Sequence, residues 1–306
     1  LQTTIKGLSG FNAETGQGGI LSGDTTIRSI QAQLRNVLGR VVPGLENASI
    51  RTLADVGITT DYETGGLSFD RAKFEEQLKK NPDDVTALFA EQGRTSSADV
   101  EFLGSGSGTT RGNYAINITQ AATQGSLLGD SALADGVVID GSNDSLEFVV
   151  DGSTNFSIQL TQKTYATAEE LVAEIQSQID SSVPLNAAGQ SVRVDLDSSG
   201  VLRFTSGSYG SSSNVSIMWA EGGNDLGISA KTGTLGKDVA GTVNGQEATG
   251  DGRVLTVTGA GGAKGMQLQI AGYKDGDLGR VNFIEGIGEQ AVNLVTDIVG
   301  ADGILD

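Results

Sequence analysis

Across 306 residues the chain carries 38 acidic against 20 basic side chains, a net charge of −18, with 45 glycines, no cysteine and no histidine. A field of that sign repels nucleic acid and anionic membrane surfaces, and no run of about 18 apolar residues offers a membrane-spanning helix. Without cysteine there is no disulfide framework or thiolate metal site, and without histidine there is neither a Ser-His hydrolase nor a histidine zinc site.

Residues 1–92 read as helix-rich. The opening "LQTTIKGLSG" has no secretory signal pattern, and a start on Leu1 points to a piece of a longer protein. After Gly23, Asp24 (or Thr25) is placed to cap a helix, and Ile27, Ile30, Leu34 and Leu38 follow at steps of three and four, an apolar stripe that Gly39 ends. "ITTDYETGGLSF" (58–69) reads as a hairpin turning near Gly65-Gly66. Asp70 caps a second helix with Phe74 and Leu78 on one side. "NPDDVTALF" (81–89) opens a third, with Asn81 as cap, Pro82 at the first helical position and two acids in the first turn.

At about residue 93 the composition turns polar and rich in glycine and serine, which predicts a crossing between domains. From 113 to 282 the pattern is mostly alternating, as in half-buried antiparallel strands: "NYAINITQ", "SLEFVVDG", "NFSIQLTQ", "SVRVDLDSSG", "VLRFTSG" and "NVSIMW". One helix interrupts them, "TAEELVAEIQSQI" (167–179), with Thr167 and Glu170 as a capping box. A small β segment occupies 239–282. From 283 the helical period returns: Ile284, Ile287, Ala291, Leu294 and Ile298 are spaced three, four, three, four. That spacing fits a coiled-coil seam and equally a helix buried in an ordinary core. The fold class expected is α+β and multidomain. A discontinuous helix-rich domain (1–92 and 283–306) flanks a mainly antiparallel β insert (93–238, then 239–282). Ile27, Ile30 and Leu34 are expected to pack against Ile287, Ala291 and Leu294.

Candidate chemistry is sparse. From Gly18 the spacing is that of a phosphate-binding P-loop, but Asp24 stands where its lysine would be and would repel phosphate. "DGSND" (140–144), "DLDSSG" (195–200) and "GGNDLG" (222–227) contain calcium-ligand types but lack the EF-hand spacing, and turns favour the same residues. The acid pairs Asp83-Asp84 and Glu169-Glu170 fall in first turns of helices, where they complement the dipole. Trp219, the single tryptophan, ends a strand; core packing is expected, with a carbohydrate platform as the alternative. No catalytic residue, metal site or cofactor is assigned, and the chain is not expected to be an enzyme.

Two long stretches, and two further ones, carry a family resemblance. "LSGFNAETGQGGILSGDTTIRSIQAQL" (8–34) resembles the Leu-Ser-x-Tyr/Phe … Gly-x-Leu-x-Gly-Asp-x-Thr-x-Arg stretch in the C-terminal part of flagellar filament cap proteins, the hook-associated protein 2 family. "LADVGITTDYETGGLSFDRAKFEEQLKKNPDDVTALF" (53–89) is similar to the strands and helix that come next in that family, and "VNFIEGIGEQAVNLVTDIVGADGIL" resembles the helix before the family's C-terminal coiled coil. The middle, from about 113 to 230, is similar to β-rich modules of flagellins and hook-associated proteins. In many members the Phe of "ALF" is followed quickly by the C-terminal helix. Here roughly 190 residues intervene, as an inserted module would. The family's N-terminal leg helix and terminal disordered segments have no counterpart in these residues.

The resemblance implies a structural chaperone: a homo-oligomeric ring at the flagellar tip, outside the cell, that helps exported flagellin fold into place. It further implies export through the flagellar type III channel, with an export chaperone as partner. A tip-exposed adhesin binding mucin or glycans, or another hook-associated or flagellin-like filament protein, is the alternative. No nucleic-acid partner and no membrane insertion are expected.

Overall fold

The computed structural model describes residues 11–12, 17–18, 24–60, 66–222, 225–272 and 274–299. The chain divides into two compact units, one made of Leu1–Ser96, Gly108–Tyr114 and Arg280–Asp306, the other of Ser97–Ser107 and Ala115–Gly279.

In the first unit, α1 spans Thr25–Gly39, α2 Arg71–Lys80, α3 Pro82–Phe89 and, to keep chain order, the last helix of the molecule, Ile287–Val299, is α6. A one-turn 3-10 helix, Leu53–Val56, closes on Gly57, whose φ of 81° is left-handed. A Cβ at Gly57 would also come within 2.8 Å of the Asp70 carbonyl oxygen, so only glycine fits. Ile58–Thr60 and Leu67–Phe69 form the expected hairpin, its turn (61–65) lying outside the described residues. Val42, Leu45, Ile50, Leu53, Val56, Val85, Leu88, Ile284 and Ile287 make one core, with Phe74 and Phe89 packed against it. Leu78 remains largely exposed, so only Phe74 of that expected pair reaches the core.

One expectation changes here, and one stretch gains detail. The Gly/Ser-rich stretch after residue 93, expected as a crossing between domains, holds strands Gln92–Thr95 and Val100–Gly104. Its glycines allow close backbone approach; a Cβ at Gly106 would sit 2.8 Å from the Gly265 Cα. The last helix begins at Ile287 rather than 283. "RVNFI" continues strand Gly276–Ile284, and Val281, Phe283 and Ile284 pair with Thr95, Gly93 and Gln92. Ile284 is therefore a strand residue, not the first position of a helical seam.

The second unit contains two lobes. The sheet lobe is six antiparallel strands in the order Gly112–Gln120, Ala240–Val243, Gln246–Asp251, Val254–Val257, Gln267–Ile270 and Val100–Gly104. Ile116, Ile118, Val243, Leu255, Val257, Leu268 and Ile270 are buried on alternating positions. The helix lobe packs α4 (Ala168–Asp180) and α5 (Val183–Ala188) with two sheets. One sheet is ordered Thr154–Gln159, Ser145–Val150, Val215–Ala220, Lys231–Thr232. The other is Val192–Leu196, Val201–Ser206, Ser126–Ala132. Leu171, Ile175 and Ile179, the stripe of α4, are buried in the lobe's core with Phe148, Tyr165 and Phe204. Strand Ser126–Ala132, helix α5 and the two-residue strands Val137–Val138, Thr164–Tyr165 and Lys231–Thr232 are elements of this lobe that the sequence pattern does not announce.

Candidate functional site

Of the residues singled out as interface candidates, Ile27, Ile30, Leu34, Leu294 and Ile298 come together on α1 and α6. Ile30, Leu294 and Ile298 form one buried cluster, with Ile27, Leu34 and Val37 packed against it. Ala291 is half-buried and is not part of that cluster. Ile287 sits apart, in the larger core with Val42, Leu45 and Ile284. One helix thus serves two clusters, its first turn one and its later turns the other. Gly286 makes the entry possible, because a Cβ there would lie 2.6 Å from the Phe89 carbonyl oxygen. Val292, Val295 and Val299 of α6 are exposed.

A polar pin accompanies this apolar seam. Gln290 is buried on α6, and its Oε1 accepts a hydrogen bond from Arg40 Nη2 at 2.5 Å while its Nε2 donates to the Glu285 carbonyl at 2.8 Å. Sequence reasoning passed over Gln290. The signal was available: a polar residue at a position the helical period makes inward-facing.

The helix caps fall where the sequence put them, with differences in detail. Asp24 Oδ1 accepts from Thr26 N–H at 2.7 Å and Ile27 N–H at 3.3 Å. Asp70 Oδ1 accepts from Lys73 N–H. Thr167 Oγ1 accepts from Glu170 N–H, but Glu170 Oε2 in return accepts from Ala166 N–H, one residue before the cap. Asn81 occupies the cap position of α3 without a side-chain cap bond; its Nδ2 donates to Gln77 Oε1 on the preceding helix.

The acidic candidates are engaged locally. Asp84, of the Asp83-Asp84 pair, accepts from Ser49 N–H and from Arg94. Burial alone would raise its pKa, but the hydrogen bonds from Arg94 and from the Ser49 and Ile50 backbones, with the Arg94 charge, hold it below the usual carboxylate range. In "DGSND", Asp140 accepts from the Ser142 N–H and hydroxyl. In "DLDSSG", Asp197 accepts from the Ser199 and Val201 N–H groups. These are turn-forming bonds. Among the described residues no three acidic side chains cluster to hold a metal. Of the near-P-loop, residues 19–23 lie outside the described residues, as do Gly223 and Asn224 of "GGNDLG" and the C-terminal 300–306.

Trp219 departs from the expected core position: it is 43% exposed, beside Met218 at 60%. The cause is a β-bulge. Phe148 pairs with Ile217 and Glu147 with Trp219, so Met218 is an extra residue and Trp219 turns to the outward side with Glu147.

A family model described as "Flagellar hook-associated protein 2 C-terminus" matches residues 1–183, more than half of the sequence. The chain belongs to the flagellar hook-associated protein 2 family. Flagellar hook-associated protein 2 of Escherichia coli O157:H7 is 35% identical over 117 residues, 38% of this chain and 24% of that protein. Flagellar hook-associated protein 2 of Aeromonas caviae is 41% identical over 81 residues, 26% of this chain and 17% of that protein. The match therefore spans about a quarter or less of these curated relatives. Among solved structures, the D2-D3 domains of the Escherichia coli flagellar cap protein FliD align over 63% of this chain and 98% of theirs, at a TM-score of 0.42 and 16% identity. FliD (HAP2) from Pseudomonas aeruginosa PAO1 aligns over 71% of this chain and 98% of its own, at a TM-score of 0.37 and 16% identity.

Proposed function

We propose that this chain is part of a filament-capping protein at the distal tip of the bacterial flagellum. It acts without catalysis, by binding and conformational cycling, as a homo-oligomeric ring that promotes folding and insertion of exported flagellin. The observation that carries this reading is the family match over residues 1–183, which includes the Gly-Asp-x-Thr-x-Arg start of α1 and the "NPDDVTALF" helix. The α1 and α6 pair, with its pinned register, supplies the helical element of the leg, and the second unit supplies the plate over the export channel. The absence of cysteine is compatible with export of an unfolded chain through the flagellar type III channel, since no disulfide has to be broken.

Complementation tests it. The full-length gene, placed in a non-motile bacterium lacking its filament cap, is expected to restore filaments and swimming. Stable expression and export without filaments would overturn the reading.

A further inference from the structure

The chain crosses between the two lobes of the second unit twice, at 121–125 and 233–239, and the crossings are bonded to each other. Thr123 N–H donates to the Lys237 carbonyl at 2.9 Å, Ser126 N–H to the Thr234 carbonyl at 2.9 Å, and Thr234 N–H back to the Ser126 carbonyl at 2.7 Å. A third segment, 206–214 ("SGSYGSSSN"), lies against both. Gly210 N–H donates to the Thr123 carbonyl and Gly236 N–H to the Ser213 carbonyl, each at 3.0 Å. Gly125 N–H donates to the fully buried Ser213 hydroxyl at 2.8 Å.

Each lobe then grips that segment with side chains. From the helix lobe, Asp151 sits in a left-handed turn (φ 50°) at the tip of the hairpin joining Ser145–Val150 to Thr154–Gln159. Its Oδ1 accepts from the Ser206 hydroxyl and the Asn214 N–H, each at 2.9 Å. Its Oδ2 accepts from the Ser208 hydroxyl at 2.7 Å. From the sheet lobe, Asp238 Oδ1 accepts from Ser211 N–H at 2.9 Å and Gly252 N–H at 2.8 Å. The Arg253 guanidinium lies 3.7 Å over the Tyr209 ring. Glycine stands at each close approach. A Cβ at Gly210 would be 2.6 Å from the Gly252 Cα, and one at Gly233 would be 2.6 Å from the Ser126 carbonyl oxygen.

A hinge needs a few residues free to absorb changes in φ and ψ. Here the glycines do the opposite: they let three backbone segments close on one another, and the N–H groups of those segments are committed across the joint. We propose that segment 206–214 is a clasp that locks the two lobes into one rigid body, with Asp151 as its helix-lobe half and Asp238, Arg253 and Tyr209 as its sheet-lobe half. A turn-rich serine and glycine sequence that reads as a flexible loop is thereby a stiffening element.

The chain has no cysteine, so Ser157→Cys on the helix lobe and Thr249→Cys on the sheet lobe place a unique pair of spin labels. Pulsed electron-electron distance measurement on the otherwise native chain is expected to give one narrow distribution. Arg253→Ala, and Asp238→Asn separately, are expected to broaden it at least twofold while Trp219 emission shows the helix lobe still folded. A broad distribution in the native background overturns the proposal. So does an unchanged width in Arg253→Ala, whose side chain is half-exposed.

Discussion

Arg40, at the end of α1, donates a hydrogen bond to the buried amide of Gln290 on α6, a contact between residues 250 apart in sequence. Apolar side chains alone tolerate sliding of one helix on another, whereas a buried polar group demands one register because it needs its partner. The α1–α6 seam combines both kinds of contact. Gln290→Ala is expected to destabilise the first unit by about 1–2 kcal/mol, since the Glu285 carbonyl loses its donor. Arg40→Ala is expected to cost about as much, because it leaves the buried Gln290 Oε1 without its donor. Denaturant unfolding of the two variants and their combination measures this. A double-mutant coupling near zero would mean the pin contributes nothing.

The cap of α1 makes a second prediction. Asp24 satisfies two orphan N–H groups, so Asp24→Lys removes an acceptor and puts a cation at the positive end of the helix. The expected cost is about 1–2 kcal/mol in unfolding free energy, with Asp24→Ser recovering most of it. Restoring the lysine of the P-loop pattern is expected to create no nucleotide site. Measurable ATP binding by Asp24→Lys in calorimetry would contradict the assignment of Asp24 as a cap.

How much of the fold and the seam is legible in the sequence depends on how local the cause is. Asp24, Asp70 and Thr167 are legible because a cap is a side chain one turn from the N–H it serves. The α4 stripe is legible because Leu171, Ile175 and Ile179 keep a helical period. Trp219 is not, because alternation through "VSIMW" turns it inward and the bulge opposite Glu147 and Phe148 is a property of the pairing, not of the strand. Strand Ser126–Ala132 hides behind a Leu127-Leu128 pair of opposite burial and Gly129, where a Cβ would be 2.8 Å from the Gly227 carbonyl oxygen. Gln290 is legible in part: the helical period turns it inward, but its partner Arg40 at the end of α1 is 250 residues away and no local pattern names it. The clasp is illegible for the same reason: its serines and glycines look like a loop until Asp151 and Asp238 arrive from elsewhere in the chain.

Acid sensitivity of the first unit is expected from Asp84. Its pKa lies below the unfolded value of about 3.9. Its contribution is therefore complete above that value and is lost as pH falls through the native pKa, where the folded carboxylate takes up a proton. Asp84→Asn is expected to lower stability at pH 7 by about 2 kcal/mol, from the weakened bond to Arg94. The gap between native protein and variant is expected to close toward pH 2. A difference that stays constant from pH 7 to pH 2 would place the stabilisation elsewhere.

The two faces of α6 make opposite predictions for similar truncations. Leu294 is 9% exposed and packed with Ile30 and Ile298, whereas Val292 is 59% exposed. Leu294→Ala removes buried methyl groups and leaves space between α1 and α6 that Ile27 and Leu34 fill only partly, so about 2–3 kcal/mol is expected. Val292→Ala exchanges one exposed side chain for a better helix former, so a change within about 0.5 kcal/mol is expected. Thermal unfolding of both variants decides it. If Val292→Ala cost as much as Leu294→Ala, the exposed face would be a packed one, and the seam between α1 and α6 would have been assigned to the wrong side of the helix.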